Sequence, residues 1–521
     1  MKIQTKTIGL LAACALLSAA CSRKTEAPDE LRFRLNTDPP SIDWTLSTDN
    51  VSKEVIEFLH EGLLVHSLDA KVNAAMAESW EVSNGGKTYT FKLREGLKWS
   101  DGQPLIAQHF VDGFERALNP KSACEYAYFL FDLVNAEDYQ GGKITDFSKV
   151  GIVAKDDRTV VVNLRNPVAF WIFVPAFWPT YPIRKDVIAT HGDKWVDPGK
   201  MVSAGLYKLV EYQRDSKVVL EKNIHYWDKA ALEKMPAKVV FRVVKDDSTA
   251  VALFKNGDFD IVRDLPPIQI QTLSKLPGFR SHPYLRGYYF GFNTKDPSVS
   301  DVNIRRALAH AIDRKEFDQI FGPMIRPSKT WNHPALVGYS AERGLDFNPE
   351  LARKLWAEAK NKPKAIEFAY DQKEFNKLVA ENIQGQWKRN LGIEANLTSM
   401  EWKVYLKALR AKSPAVWRMG WGADYPDPDT FFSLYTCKSG NNFTGFCSTV
   451  FDGLIRSGAA GQNPAERAKA YGQIEKILLE DEVAIVPLFA QTNMHLISSR
   501  LEGFDVNPMG YLELKTLRLK K

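Results

Sequence analysis

Apolar and polar residues alternate over 31–36, and the run stops at Asp38-Pro39-Pro40, which predicts an opening strand. Val55, Ile56, Leu59 and Leu63 share one helical face, so 53–64 reads as a helix. Residues 77–94 alternate on both sides of Asn84-Gly85-Gly86, the pattern of a hairpin. A helix is expected at about 106–118 and a strand at 159–164, and the aromatic run 170–181 reads as a packed helix and its exit. Residues 204–227 predict a second hairpin. Strand 239–244, a helix through 250–255 and strand 258–262 follow. This succession of strand, helix and strand points to an α/β fold.

The second half continues in the same way. Strand 288–294 precedes a helix over 302–321, with Asp301 placed to cap it. Helices are expected over 349–359, 375–390, 402–409 and 465–480, and strands over 393–397 and 483–489. No internal repeat of solenoid period is visible.

One stretch, 416–428, concentrates chemistry. It reads as a short strand running into a Pro-Asp-Pro turn. It offers a guanidinium (Arg418), bare backbone at Gly420 and Gly422, an indole (Trp421) and a carboxylate (Asp424). Such groups suit a short zwitterionic chain, held by a cation at one end and an anion at the other. A buried strand with a solvated turn explains the stretch alone equally well.

At 521 residues the chain exceeds a single core, so two or three domains are expected. Hydrophobic residues at 45% and charged residues at 25% are ordinary for a soluble globular protein. The net charge of +6 comes from well-mixed signs without a basic run, which argues against a nucleic-acid partner.

The N-terminus changes the picture more. Lys2 and Lys6 precede an apolar run from Ile8 to Ala20, too short to span a bilayer as a helix. Ser18-Ala19-Ala20-Cys21 then forms a small-residue cleavage site. Residues 1–21 read as an export signal, and 22–30 as a flexible tether. Export brings oxidising conditions. Cys14 and Cys21 belong to the signal. Cys437 and Cys447 would close a small Gly- and Asn-rich loop as a disulfide, leaving Cys124 buried and free. No pair has the spacing of a zinc or thioredoxin-like site, and neither metal nor cofactor is expected.

Enzymatic motifs are missing. Gly86-Lys87-Thr88 suggests a phosphate loop, but Glu81 stands where its leading glycine belongs and a strand follows. His60-Glu61 lacks the second histidine of a zinc protease, and no Gly-x-Ser-x-Gly occurs. An exported hydrolase is the weaker alternative, and no catalytic residue is assigned.

Several pieces stand in one order: Ala77-Glu78-Ser79-Trp80 with 89–94, Trp99-Ser100-Asp101-Gly102, Gly205-Leu206-Tyr207, Tyr226-Trp227, Phe292-Asn293-Thr294, Arg306-Ala307-Leu308 with 311–314, and Gly420-Trp421 with Ala423-Asp424-Tyr425. In this order the chain resembles the oligopeptide- and dipeptide-binding proteins of bacterial ABC importers. The start resembles a lipobox, in which Cys21 receives a diacylglycerol and tethers the protein to a membrane. Ser22 lacks the inner-membrane retention signal of some Gram-negative bacteria.

The resemblance implies a two-lobed periplasmic-binding-protein fold with mixed sheets, of the type II class enlarged by an extra domain. The expected division is 31–61 with 186–285 and 502–521 as the core of lobe 1, 62–185 as its inserted domain, and 286–501 as lobe 2. The crossings between lobes are expected near Leu285-Arg286 and near 499–501.

Carried over residue by residue, Asp424 falls on the ligand of the peptide α-ammonium. The backbone of Gly420 to Gly422 pairs with the peptide main chain, and Arg418 falls on a cation for the carboxyl end. Tyr126 and Trp402 fall near cleft-lining positions, and Asn376 falls where relatives carry a histidine. Gly422 and Arg286 replace two cysteines that are bridged in close relatives, so that disulfide is absent. The implied protein is a monomer that takes a peptide ligand to ABC permease subunits in the cell envelope. A dipeptide, a murein peptide or a metal complex is the alternative ligand on the same fold.

Overall fold

The structure is a computed structural model and describes residues 29–411, 414–461 and 463–520. The expected signal, the lipidation at Cys21 and most of the tether lie outside the described residues.

Two mixed sheets carry the architecture. The first has seven strands in the order Phe279–His282, Asn493–Ile497, Ile261–Arg263, Glu30–Leu35, Lys238–Val243, Lys217–Lys222 and Tyr207–Gln213. Its middle strand Glu30–Leu35 runs parallel to both neighbours and buries Leu31, Phe33 and Leu35. The second sheet orders six strands as Ile325–Pro327, Ile485–Gln491, Arg286–Phe292, Val416–Gly422, Ala365–Asp371 and Glu394–Met400. Helices Val302–His310 and Glu374–Leu391 cover it, with Ile304, Leu308, Ile383 and Trp387 in one core.

A smaller sheet of four antiparallel strands, Ala77–Ser83, Thr88–Leu93, Thr159–Asn163 and Ile152–Asp156, lies within 62–185 and packs on helix Ala107–Leu118. Its first turn holds Asn84, Gly85 and Gly86 at φ of 51°, 61° and 85°. Three consecutive left-handed residues explain two glycines there.

The chain passes between the two large sheets twice. Residues 283–285 join Phe279–His282 to Arg286–Phe292, and Thr492 alone joins Ile485–Gln491 to Asn493–Ile497. The second passage therefore precedes the expected 499–501. Strand Asn493–Ile497 belongs to the first sheet because Met494 and Leu496 are buried with Val251, Val262 and Leu265.

Three local expectations also change. Residues 302–321 form two helices, Val302–His310 and Lys315–Phe321. The break lets the buried Arg314 guanidinium donate to the carbonyls of Pro487 at 2.7 Å and Leu345 at 3.0 Å. The aromatic run makes two short 3-10 turns, Trp171–Ala176 and Trp178–Thr180, because Pro175 and Pro179 remove donors a longer helix needs. The last long helix, Pro464–Lys476, widens into a π turn over Ile477–Asp481.

Cys437 and Cys447 are bonded, with Cα atoms 4.6 Å apart and a sequence separation of 10. Cys124 is free and buried, and burial pushes its thiol up to about 12. Replacing both bonded cysteines with serine is expected to cost about 2–3 kcal/mol through loop-closure entropy. The midpoint of urea unfolding, with and without reductant, checks this. Among the described residues no helix is long and apolar enough to cross a membrane.

Candidate functional site

Strand Val416–Gly422 is built to leave one edge open. On one side it pairs antiparallel with Arg286–Phe292 over its full length. On the other it meets Ala365–Asp371 only at Phe368↔Val416 and Ala369↔Trp417, after which the two strands part. The Tyr405 hydroxyl fills the fork, donating to Arg418 O at 2.6 Å and Ala369 O at 3.2 Å.

Register then says which groups face the gap. Ala423 N donates to Leu285 O at 2.8 Å, so alternate pairs counted from it are the hydrogen-bonded ones. The pairs Arg286↔Gly422 and Tyr288↔Gly420 are therefore not hydrogen-bonded. The backbone N–H and C=O of Gly420 and Gly422 point away from strand Arg286–Phe292, towards the parted edge.

That edge borders a cleft between the two large sheets, with about 1550 Å³ of space when the solvent at its mouth is included. Asp424, Arg418, Trp421, Gly420, Gly422, Tyr126, Trp402 and Asn376 all line it. They come from distant parts of the chain. Tyr126 stands against Trp421 edge to face at 6.1 Å, and Trp402 opens helix Trp402–Arg410, capped by Glu401.

Asp424 is buried, 6% exposed. Its backbone N–H donates to Thr430 Oγ1 at 3.0 Å, and the Thr430 hydroxyl returns a long bond of 3.4 Å to the carboxylate. Among the described residues no cation forms an ion pair with it. Burial pushes its pKa up to about 7, against a smaller downward pull from Lys53 and the side chains of Thr430 and Trp421. Burying an ionised carboxylate without a partner costs several kcal/mol, so this group stands ready for a cation.

Arg418 differs from its expected role. Its guanidinium is paired with Asp371 at 2.5 Å, with side-chain exposures of 7% and 2%, and lies over the Tyr288 ring at 5.2 Å. Asn376 is its indirect neighbour, donating to Asp371 Oδ1 at 3.0 Å and accepting from the Tyr288 hydroxyl at 3.0 Å. Arg418 is thus neutralised within the protein rather than presented as a free cation. Sequence reasoning missed Asp371, because an acidic residue ending a strand carries no signal until its partner strand is known.

The two sides of the cleft also touch directly. Lys373 pairs with Asp264 at 3.8 Å, Lys438 with Glu137 at 2.9 Å, and Arg410 with Glu125. Thr37 donates to Glu401 Oε1 at 3.3 Å. These contacts join the first sheet and the inserted region to the second, which is a shut arrangement.

Comparison with known proteins agrees with this geometry. The family model described as bacterial extracellular solute-binding proteins, family 5 Middle, matches residues 71–443. The probable deoxycholate-binding periplasmic protein YgiS of Escherichia coli K12 is 31% identical over 98% of this chain and 98% of its own length. The crystal structure of Haemophilus influenzae OppA in complex with RPPGFSPFR gives a TM-score of 0.90 at 29% identity, covering 95% of this chain and 100% of that one. The Escherichia coli murein tripeptide binding protein MppA gives 0.90 at 28% identity, covering 94% and 98%. Its unliganded open form gives only 0.64 at the same 28% identity, covering 94% and 97%. The lobes here are therefore set as in the first MppA structure and not as in the open one. With the family model matched across 71–443 and relatives aligned over nearly the whole length, the chain belongs to the bacterial extracellular solute-binding proteins, family 5.

Proposed function

We propose that the protein captures peptides in this cleft by their amino terminus and delivers them to the permease of an ABC importer. The observation that carries this reading is Asp424: a buried carboxylate without an ion pair among the described residues, beside the free backbone edge of Gly420 and Gly422. A peptide supplies both missing partners. Its ammonium answers the carboxylate, and its main chain adds to the open edge as an extra strand, which ignores side-chain identity. Family 5 proteins bind solutes, and a buried carboxylate beside an open backbone edge suits binding.

The lobes rotate about 283–285 and Thr492, so that a ligand is enclosed and the shut form docks on the permease. Cys21 carries the lipid that holds the mature monomer at the membrane, facing the periplasm or the exterior. Replacing Cys21 with serine is expected to move the protein from the membrane pellet to the soluble fraction.

A second reading keeps the fold and changes the ligand. A relative aligned over the whole chain is described as binding deoxycholate, a carboxylate without an amine. Mass spectrometry of ligands released by denaturing the purified protein separates the two. Free-amine peptides support the first reading, and recovery of amine-free carboxylates alone rejects it.

A further inference from the structure

We propose that Arg286, rather than Arg418, holds the carboxylate end of the ligand, which sets the preferred peptide length at about two to four residues. This rests on the reading that Asp424 takes the ammonium.

The charges lining the cleft nearly all have partners. Among its cations, Arg418 is paired with Asp371 at 2.5 Å, Lys373 with Asp264 at 3.8 Å, and Arg263 with Glu54. Among its acids, Asp247 is paired with Arg34 at 2.6 Å, and Asp49 caps a helix by accepting from the N–H groups of Val51 and Ser52. Two groups remain among the described residues. Asp424 has no ion pair, and Arg286 has no carboxylate within ion-pair distance. Arg286 is instead steadied by a neutral partner, its Nε donating to Gln491 Oε1 at 2.8 Å. A half-buried guanidinium held in place without an anion is a preorganised anion site.

Its direction fits. Arg286 faces Gly422 in a non-hydrogen-bonded pair, where side chains stand closest. A Cβ on Gly420 would lie 3.1 Å from Arg286 Nη2, and one on Gly422 would lie 3.7 Å from Nη1. The guanidinium thus lies along the stretch whose free backbone edge an added chain would use, and glycine at 420 gives it room. The surroundings are positive as well. Burial pushes the Tyr284 phenol up, yet Arg286, Lys53 and Arg263 together bring it below its ordinary value.

The spacing sets the length. The guanidinium reaches Gly420, four positions before Asp424. At strand rise this is at most about 13 Å. An extended peptide spans about 3.3–3.6 Å per residue, so about two to four residues bridge the two charges.

Calorimetry of the purified protein with oligoalanines tests this. Trialanine as free acid is expected to bind about 30-fold or more tighter than its carboxyamide. In Arg286→Gln that difference disappears, because the acid falls to the level of the amide, while Arg286→Lys keeps part of it. If the Gln variant does not fold, the length series on the parent protein decides. Affinity must be greatest at two to four residues and about tenfold lower for hexaalanine. Equal binding of acid and amide, an undiminished difference in a folded Arg286→Gln, or tighter binding of hexaalanine overturns the proposal. Failure of the underlying reading looks different: N-acetyltrialanine then binds as well as trialanine, whatever stands at 286.

Discussion

Asp424→Asn lowers the affinity for free-amine peptides by about two orders of magnitude or more, and at the same time lets the empty cleft shut more readily. Removing one partner of a buried charge pair typically costs about 2–5 kcal/mol, and among the described residues Asp424 is the cleft's one acid without a cation or a helix cap. Affinity for an N-acetylated peptide, which brings no charge, should hardly change. The second effect follows from the same burial. In the shut, empty form the carboxyl is pushed up to about 7, whereas in an open, solvated cleft it returns toward the ordinary value near 3.9. The shut form therefore binds the proton more tightly than the open one. Empty closure is opposed above pH 7 and eased progressively as pH falls from 7 toward 4. The gap corresponds to a few kcal/mol, on the order of 1.4 per unit. Asparagine carries no charge to desolvate, so the ligand-free variant should be more shut at neutral pH and lose this pH dependence. Small-angle scattering of ligand-free protein between pH 4.5 and 8 checks it. An identical radius of gyration for parent and variant across that range sinks the argument.

On the proposed reading, the same residue would couple occupancy to closure. A ligand shifts a two-state equilibrium only through differential affinity for its states. If an ammonium meets Asp424 fully only when both lobes surround it, the carboxylate would penalise a shut empty molecule and reward a shut full one. In the proposed delivery to a permease, this keeps unloaded protein from imitating loaded protein.

How much of this was legible in the sequence differs by level. The hairpin at Asn84-Gly85-Gly86 could be read directly, because turn chemistry is local. Asp424 and the two glycines could be picked out only through the order of motifs around them, because the stretch alone reads equally well as a buried strand and a solvated turn. The second passage between lobes could not. Residues 493–497 are apolar enough for either sheet, and only the burial of Met494 and Leu496 against Val251 and Leu265 decides. The partner of Arg418 was hidden for a similar reason. An arginine in a cleft-lining strand looks free until strand pairing brings Asp371, 47 positions earlier, to 2.5 Å. Arg286 was visible only as a departure from a cysteine. Its reach over Gly420 needed the register.

Asp371→Ala is expected to destabilise the protein by about 3–5 kcal/mol, the usual result of stranding a buried charge. Arg418 would remain only 7% exposed, over the Tyr288 ring, without its anion. Asn376 would lose the acceptor it meets at 3.0 Å, loosening its bond with the Tyr288 hydroxyl as well. Replacing Asp371 and Arg418 together with leucine should restore most of that stability, because no charge is then left buried. Urea midpoints of the parent, Asp371→Leu, Arg418→Leu and the double leucine variant form the cycle, and a coupling below about 0.5 kcal/mol would refute a cooperative pair. The double variant should nevertheless bind peptide more weakly than the parent. The last paired residues of the two strands are Ala369 and Trp417, and Asp371 and Arg418 bridge the point just beyond, where the strands part. The ion pair thereby holds the fork in the shape that leaves the Gly420–Gly422 edge open. Leucines can fill the volume, but they do not fix the angle at which the strands separate. Restored stability with lost affinity therefore identifies this pair as a positioning device for the binding edge. Restored stability with full affinity reduces it to a local structural contact.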